Sequence, residues 1–330
     1  MKRFRNILLV VDEHTDHAAA LQRGVTLARS NRARLTVCAI VDTIPGELQM
    51  GVLAITPREI LDVAEAEKRE WLEDVVKSVD RAGLTLEAKV LVGKPFIAMI
   101  RQVLRNQHDL IIKCAEAEHS LKDILFSSTD MHLMRKCPCP VWIIKPTENH
   151  KYQRILAAVD QDPQEPVKDV LNRQILETST SLALAEGGEA HVVHAWNLFG
   201  EDLLRSRSWG FSEARFDEMV AEENAARKNW LEDLVRQYAP PAHSSAADTR
   251  AIHLHVIKGD AQNVVAELAR DLEVDLVVMG TVARTGIAGL FMGNTAEDIL
   301  TQLDCSVLTV KPPGFISPVT LEDDQGEGPA

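Results

Sequence analysis

The sequence predicts an α/β protein made of two tandem domains, each an open five-stranded parallel sheet with helices on both faces. Three observations carry this. The chain repeats itself: "ILLVVD" (Ile7–Asp12) returns as "ILAAVD" (Ile155–Asp160), "WLEDVV" (Trp71–Val76) as "WLEDLV" (Trp230–Val235), and "CPVWIIKP" (Cys139–Pro146) as "CSVLTVKP" (Cys305–Pro312), in the same order. Within each copy, short continuous apolar runs alternate with segments of helical periodicity, the pattern of strands buried on both faces and joined by crossover helices. The length of 330 residues suits two ordinary domains better than one.

In the first copy, Ile7–Val11 is an apolar run that reads as a strand. His17–Ser30 carries apolar residues at helical spacing (Ala18, Leu21, Val25, Ala28), and Leu35–Val41 is a second strand. Ile60, Leu61, Ala64, Trp71, Leu72, Val75, Val76 and Val79 form one stripe of a long helix. Leu86–Val92 reads as a strand, Ile97–Leu104 as a helix, Asp109–Lys113 as a strand, Met131–Arg135 as a helix and Val141–Lys145 as the last strand. The expected domains are 1–149 and 150–313, followed by an acidic, Gly/Pro-rich tail over 314–330 that lacks periodicity and is expected to be disordered, most clearly over Thr320–Ala330. Such sheets bind ligands beyond the carboxyl ends of their strands, where strand order switches.

A net charge of −13 argues against nucleic acid as a partner, because phosphate neutralisation needs clustered Lys and Arg. No apolar run is long enough to span a bilayer, and the basic start Met1–Asn6 is followed by too short an apolar run for a signal peptide. The chain therefore reads as cytoplasmic, and its five scattered cysteines as reduced thiols, with Cys137-Pro138-Cys139 too closely spaced for a zinc-finger pair.

The segment with most chemical content is "VVMGTVARTGIAGLFMGNTAEDIL" (Val277–Leu300), a strand, a glycine-rich loop and a helix start. Gly280 and Gly293 lack Cβ, so an anion could approach backbone N–H groups there, and Asn294 and Thr295 stand where a helix dipole favours negative charge. Between the two glycines lies Arg284 and no acidic residue. Thr295-x-x-Asp298 also has the form of a helix-capping box. The matching loop of the first copy, "KCAEAEHSLKDILFSSTD", puts Cys114 for Gly280 and Ser127 for Gly293 and adds Glu116, Glu118 and Asp123. Side chains and negative charge exclude a phosphate there, although Ser127-x-x-Asp130 keeps the cap.

Each copy resembles a universal stress protein domain, and the pair resembles the tandem, E-type members of that family. The resemblance rests on the Asp ending the first strand (Asp12, Asp160), the loop Gly280-x-x-Ala283 followed after nine residues by Gly293-Asn294-Thr295, and the closing "VLTVKP" strand. Nucleotide-binding members carry Gly-x-x-Gly-x9-Gly-Ser/Thr; here Ala283 replaces the second glycine and Asn294 the usual Ser. The resemblance implies ATP as a ligand of the second domain, with Asp160 on the ribose or adenine, Ala195 under the adenine, Met279 beside the phosphates, and Gly280, Ala283, Arg284, Gly293, Asn294 and Thr295 along them. It also implies association through the last strand, here between the two domains of one chain, with homodimers in the family, and a stress-resistance role.

His191, His194, His253 and His255 fall on the second and third strands of the second copy, with His253 and His255 on one strand face. They could bind a transition metal if those strands pair, but edge-strand histidines without metal are the plainer expectation, and no metal is expected. His14 and His17 near Asp12 and Asp16 are a weaker set of the same kind. No nucleophile–base order assigns catalytic residues. Three functions stay open: a non-enzymatic stress-related ligand-binding protein, a weak ATPase, and a scaffold whose pockets hold no nucleotide or take a lipid-like ligand.

Overall fold

A computed structural model describes residues 4–43, 56–115, 126–145, 151–162, 166–198, 200–201, 212–239, 252–281 and 292–321. The chain divides into two compact units, one built around Arg3–His150 and the other around Lys151–Thr285 with Gly293–Pro313.

The first unit runs β1 (Asn6–Val10), α1 (His17–Asn31), β2 (Arg34–Val41), α2 (Pro57–Lys77), β3 (Thr85–Val92), α3 (Pro95–Asn106), β4 (Leu110–Cys114), α4 (Ser128–Lys136) and β5 (Val141–Ile144). All its strand pairs are parallel, in the order β3-β2-β1-β4-β5. Ile7, Leu8 and Leu9 are fully buried, as are Leu110, Ile111 and Ile112 beside them, so successive side chains of either parity are covered. Each such side chain contributes about 1.5–3 kcal/mol by leaving water. Asp109 ties the base of the sheet together: its carboxylate accepts from the N–H groups of Arg5 at 2.6 Å and Asn6 at 3.0 Å. Helix α2 starts where the sequence supplies a full capping box, Thr56 with Glu59, and Pro57 in the first turn. Of its apolar stripe only Leu72 and Val76 are buried.

The second unit repeats the plan: β6 (Arg154–Ala158), α5 (Pro166–Glu186), β7 (Glu189–Trp196), α6 (Glu213–Tyr238), β8 (Ile252–Lys258), α7 (Ala261–Asp271), β9 (Leu276–Gly280), α8 (Asn294–Gln302) and β10 (Ser306–Val310). Its order is β8-β7-β6-β9-β10, again parallel throughout. The repeat extends to polar detail, since Asp275 takes the part of Asp109 by accepting from Gln153 N–H at 2.7 Å and Arg154 N–H at 2.8 Å.

The predicted elements match in kind and order, with boundaries moved by a few residues. Residues 314–321 differ from the expected disorder. Ser317 is buried, and Arg101 Nε donates to the Thr320 carbonyl at 3.1 Å. The physical reason is composition: Gly314–Leu321 carries no charge and holds Phe315, Ile316 and Val319, whereas the acidic run begins at Glu322. Residues 322–330 lie outside the described residues.

Candidate functional site

In the second unit, β6 pairs with β7 on one side and β9 on the other, so its carboxyl end is the switch point of the sheet. A cavity of about 320 Å³ lies there, at the lower end of the range for small-molecule sites. Strand ends supply Ala158, Val193, Ala195, Met279 and Gly280, α5 supplies Lys168, Leu171, Asn172 and Ile175, and α7 and α8 supply Ala261, Val265, Thr295, Ala296 and Ile299. Val159, Asp160, Thr281 and Gly293 complete it.

One end of this cavity is the start of α8. Gly293 is the residue before the helix (φ −66°, ψ 143°), and no side chain caps the first turn. The Gly293 N–H donates to the Thr281 carbonyl at 3.1 Å, which fixes the approach of the chain to the helix. Thr295 lies inside the helix, so the expected Thr295-x-x-Asp298 capping box does not form; glycine at the cap has no oxygen to offer. The positive end of the helix is thus left to whatever enters the cavity.

Beyond the end of β6 the wall is built around Asp160. Its main chain is clamped by Asn172, whose Oδ1 accepts from Asp160 N–H at 3.1 Å and whose Nδ2 donates to the Asp160 carbonyl at 2.6 Å. Its carboxylate accepts from Lys168 Nζ at 2.6 Å, and Asp162 accepts from the same ammonium at 3.1 Å. Burial works against the Lys168 charge, but the two carboxylates hold its pKa above the ordinary lysine value. Asp160 itself remains 62% exposed at its side chain, so one oxygen can still meet a ligand.

Of the predicted site residues, Asp160, Ala195, Met279, Gly280, Gly293 and Thr295 line the cavity together. Asn294 is exposed at the start of α8 and is not in the wall. Ala283 and Arg284 lie outside the described residues. Gly280 has a different reason from the one expected. A Cβ there would meet Leu171 Cδ2 at 2.5 Å, so its bare Cα is occupied by a side chain of α5 rather than kept clear for an anion. Lys168, Leu171 and Asn172 were missed by sequence reading. The one available signal was Lys168 eight residues beyond Asp160, a spacing with no helical or strand meaning across the start of a helix.

The first unit supplies the contrast. At the start of α4, Ser127 Oγ accepts from Asp130 N–H at 3.2 Å, and Asp130 Oδ2 accepts from Ser127 N–H at 3.1 Å, a closed and buried capping box. Asp130 Oδ1 also pairs with Lys113 Nζ at 2.9 Å, with both side chains buried. Lys113 and Asp130 stand at the positions of Met279 and Ala296 in the second repeat. A carboxylate of the chain itself thus closes this helix start. Beside it Cys114, in the place of Gly280, has its thiol pKa pushed up to about 11, chiefly by burial. Residues 116–125, including Glu116, Glu118 and Asp123, lie outside the described residues.

The histidines separate by strand face. Strands β7 and β8 pair with His191 opposite His253 and Val193 opposite His255, so these three histidines share a face. His194 points to the other face, against Trp230 with ring centroids 4.9 Å apart. His191 Nδ1 lies 3.1 Å from His255 Nε2, and the His191 and His253 rings stack at 4.7 Å. Burial, then the neighbouring imidazoles, lower the His191 pKa. In the first unit His17 packs on Trp71 instead, with centroids 5.4 Å apart.

Comparison with known proteins bears on both repeats. A family model described as "Universal stress protein family" matches residues 3–145 and 151–311. The chain is 30% identical over 332 aligned residues to universal stress protein E of Escherichia coli (strain K12), covering 99% of this chain and 100% of that one. It is 26% identical to a universal stress protein E homolog of Haemophilus influenzae, covering 94% and 98%. Among solved structures it resembles a protein of unknown function from Pseudomonas aeruginosa PAO1 (TM-score 0.65, 23% identity, 94% and 93% covered). It also resembles a universal stress protein from Archaeoglobus fulgidus DSM 4304 (TM-score 0.60, 17% identity, 93% and 98% covered). These two structural likenesses concern the fold. Among the described residues no helix is long and apolar enough to cross a membrane.

Proposed function

The chain belongs to the universal stress protein family as a tandem, E-type member, and we propose that its second repeat binds an adenine nucleotide while its first binds none. The protein then acts as a non-enzymatic, ligand-responsive component of a stress response, in which occupancy of one cavity alters the loops around it.

The observation that carries this reading is the difference between two equivalent helix starts. In α4 the first turn is closed by Ser127 and Asp130, and Asp130 is neutralised by Lys113. In α8 glycine stands at the cap, Ala296 replaces the aspartate and Met279 the lysine, so no internal carboxylate closes the helix start, and the buried Lys311 donates to Thr281 Oγ1 beside it. An anion entering there would meet backbone N–H groups and a helix dipole with no internal carboxylate to displace. In the same lining Asp160 offers an acceptor to a ribose hydroxyl or an amine, and Ala195, Val193 and Ile175 offer apolar surface suited to a base. No metal-dependent step is assigned to the site.

Calorimetric titration of the full chain with ATP, adenosine and inorganic triphosphate tests this. One ATP per chain is expected, with each fragment binding more weakly than the whole. Two ATP per chain, or a cavity that takes an apolar ligand and no nucleotide, would overturn the reading.

A further inference from the structure

At the amino-terminal end of the strands that form the cavity lies a second cluster. Glu189 is the first residue of β7, His191 follows two residues on, and His253 is directly opposite on β8. One ligand atom from each of these three lies within 4.8 Å of the others. Glu189 is exposed, His191 buried and His253 half-buried, so the group opens to solvent on one side only. We propose that Glu189, His191 and His253 bind a divalent transition metal of the zinc class, pinning the edge strand β8 to β7.

Two independent features point to a ligand. The His191 Nε2 atom is buried and has no hydrogen-bond partner, an expensive condition for a polar atom. It faces the Glu189 carboxylate at 3.7 Å, beyond hydrogen-bond reach. The second feature is a neighbour placed to set the tautomer of His191. His191 Nδ1 lies 3.1 Å from His255 Nε2. When Nδ1 carries the proton and donates it to His255, Nε2 of His191 keeps its lone pair and faces the cluster, as metal-ligating imidazoles require. His255 thus orients the ligand without touching the metal.

The chemistry of the set fits. Two neutral imidazoles and one carboxylate suit a borderline-soft cation, with a further position left to water. Zinc bonds of about 2.0–2.1 Å in a tetrahedron place ligand atoms roughly 3.3 Å apart, so the set must draw in by up to about 1.5 Å. Glu189 is exposed and His253 half-buried, so these two side chains have the freedom to move. The charges facing His191 are those of Glu189, Arg154, His253 and His255. Arg154 opposes a cation, but its guanidinium is paired with Glu273 at 3.1 Å and donates to the Leu272 carbonyl at 2.7 Å. Along β7 the site runs from about 13 Å (His191) to about 20 Å (Glu189) from Ala195, taking roughly 3.3 Å per residue, so it is distinct from the nucleotide cavity and does not depend on that reading.

The test is titration of the chelator-treated full chain with Zn2+ by calorimetry and with Co2+ by visible absorption. One metal ion per chain is expected, with a Co2+ ligand-field band and a raised melting temperature. His253→Gln and Glu189→Gln change a half-buried and an exposed side chain, and each should weaken Zn2+ binding more than tenfold in protein whose melting temperature without metal is unchanged. Glu267→Gln, at an exposed carboxylate of α7, should leave it unchanged. Absence of binding at 100-fold molar excess, or binding that survives both His253→Gln and Glu189→Gln in folded protein, overturns the proposal.

Discussion

Replacing Gly293 by aspartate asks the second repeat to do what the first already does, which is to put its own carboxylate at the helix start. Gly293 has φ −66° and ψ 143°, an extended conformation open to any residue, so the change brings no backbone strain. Aspartate at this position caps a helix at least as well as glycine, by a few tenths of a kcal/mol, so the fold should keep or slightly gain stability. Its charge, however, would lie about 4 Å from an anion held on the first turn. Two like charges at that separation repel by about 1 kcal/mol in water and about 4 kcal/mol at the effective dielectric of a partly buried site. The new carboxylate also competes for the N–H groups and offsets the helix dipole, worth about 0.3–1 kcal/mol. A loss of about 2–3 kcal/mol is expected, or roughly 30- to 150-fold in affinity for ATP. Adenosine, lacking phosphate, should bind as before. The assay is paired calorimetry of both ligands with wild type and variant, with melting temperature as the folding control. If the variant is folded and ATP affinity changes less than threefold, or if ATP and adenosine weaken equally, anion recognition by α8 is wrong.

Lys113→Met should destabilise the first unit by about 3–5 kcal/mol, because Asp130 is left as an uncompensated buried charge. The double change Lys113→Met with Asp130→Ala installs the residues of the second repeat and should recover most of that loss in urea unfolding. Gly280→Ala should cost about 1–3 kcal/mol through the clash with Leu171, and Leu171→Ala in the same chain should show a non-additive recovery in a double-mutant cycle. Gln107 ends α3 in the left-handed region (φ 55°), so Gln107→Gly should stabilise by up to about 1 kcal/mol, read as a rise in urea midpoint. Burial lowers the pKa of His194 below its ordinary value of 6.5, partly opposed by the Val159 carbonyl and Asp160. The unfolded chain therefore binds the extra proton first as pH falls. Its contribution is present above pH 6.5 and lost below it, so stability should drop between pH 7 and pH 5, and His194→Gln should flatten that slope.

The fold was legible because its signals are redundant. Parallel strands covered on both faces read as unbroken apolar runs, and the internal repeat gave every element a second example. Much of the site was legible for the same reason: a strand that ends in Asp160 or Gly280 at the switch point can only face the crevice. What stayed hidden depended on contacts between segments with no fixed spacing. Gly280 looked like part of an anion cradle until Leu171, on another helix, was seen to fill its missing Cβ. Thr295 and Asp298 matched a capping pattern, but the helix begins at Asn294, which puts Thr295 inside it. Lys113 reads in the sequence only as the end of a strand, because its partner Asp130 lies across a segment whose path the sequence does not give.

The repeat is most useful as a measurement made by the protein on itself. Both units inherit a helix aimed at a switch point, and both must settle the unsatisfied N–H groups at its start. The first does so with covalently attached groups: a serine, an aspartate and, to neutralise the latter in a buried place, a lysine. These three residues form one unit, since a buried carboxylate without its lysine would be costly and a buried lysine without its carboxylate equally so. The second unit lacks all three, with Gly293, Ala296 and Met279 in their places. Losing only the lysine or only the aspartate would have left an unpaired charge; with both gone, the helix start carries no internal carboxylate, and the buried Lys311 beside it donates to Thr281 Oγ1. The coordinated absence of the whole set, more than the presence of any glycine, is what the proposal of a phosphate site in the second repeat rests on.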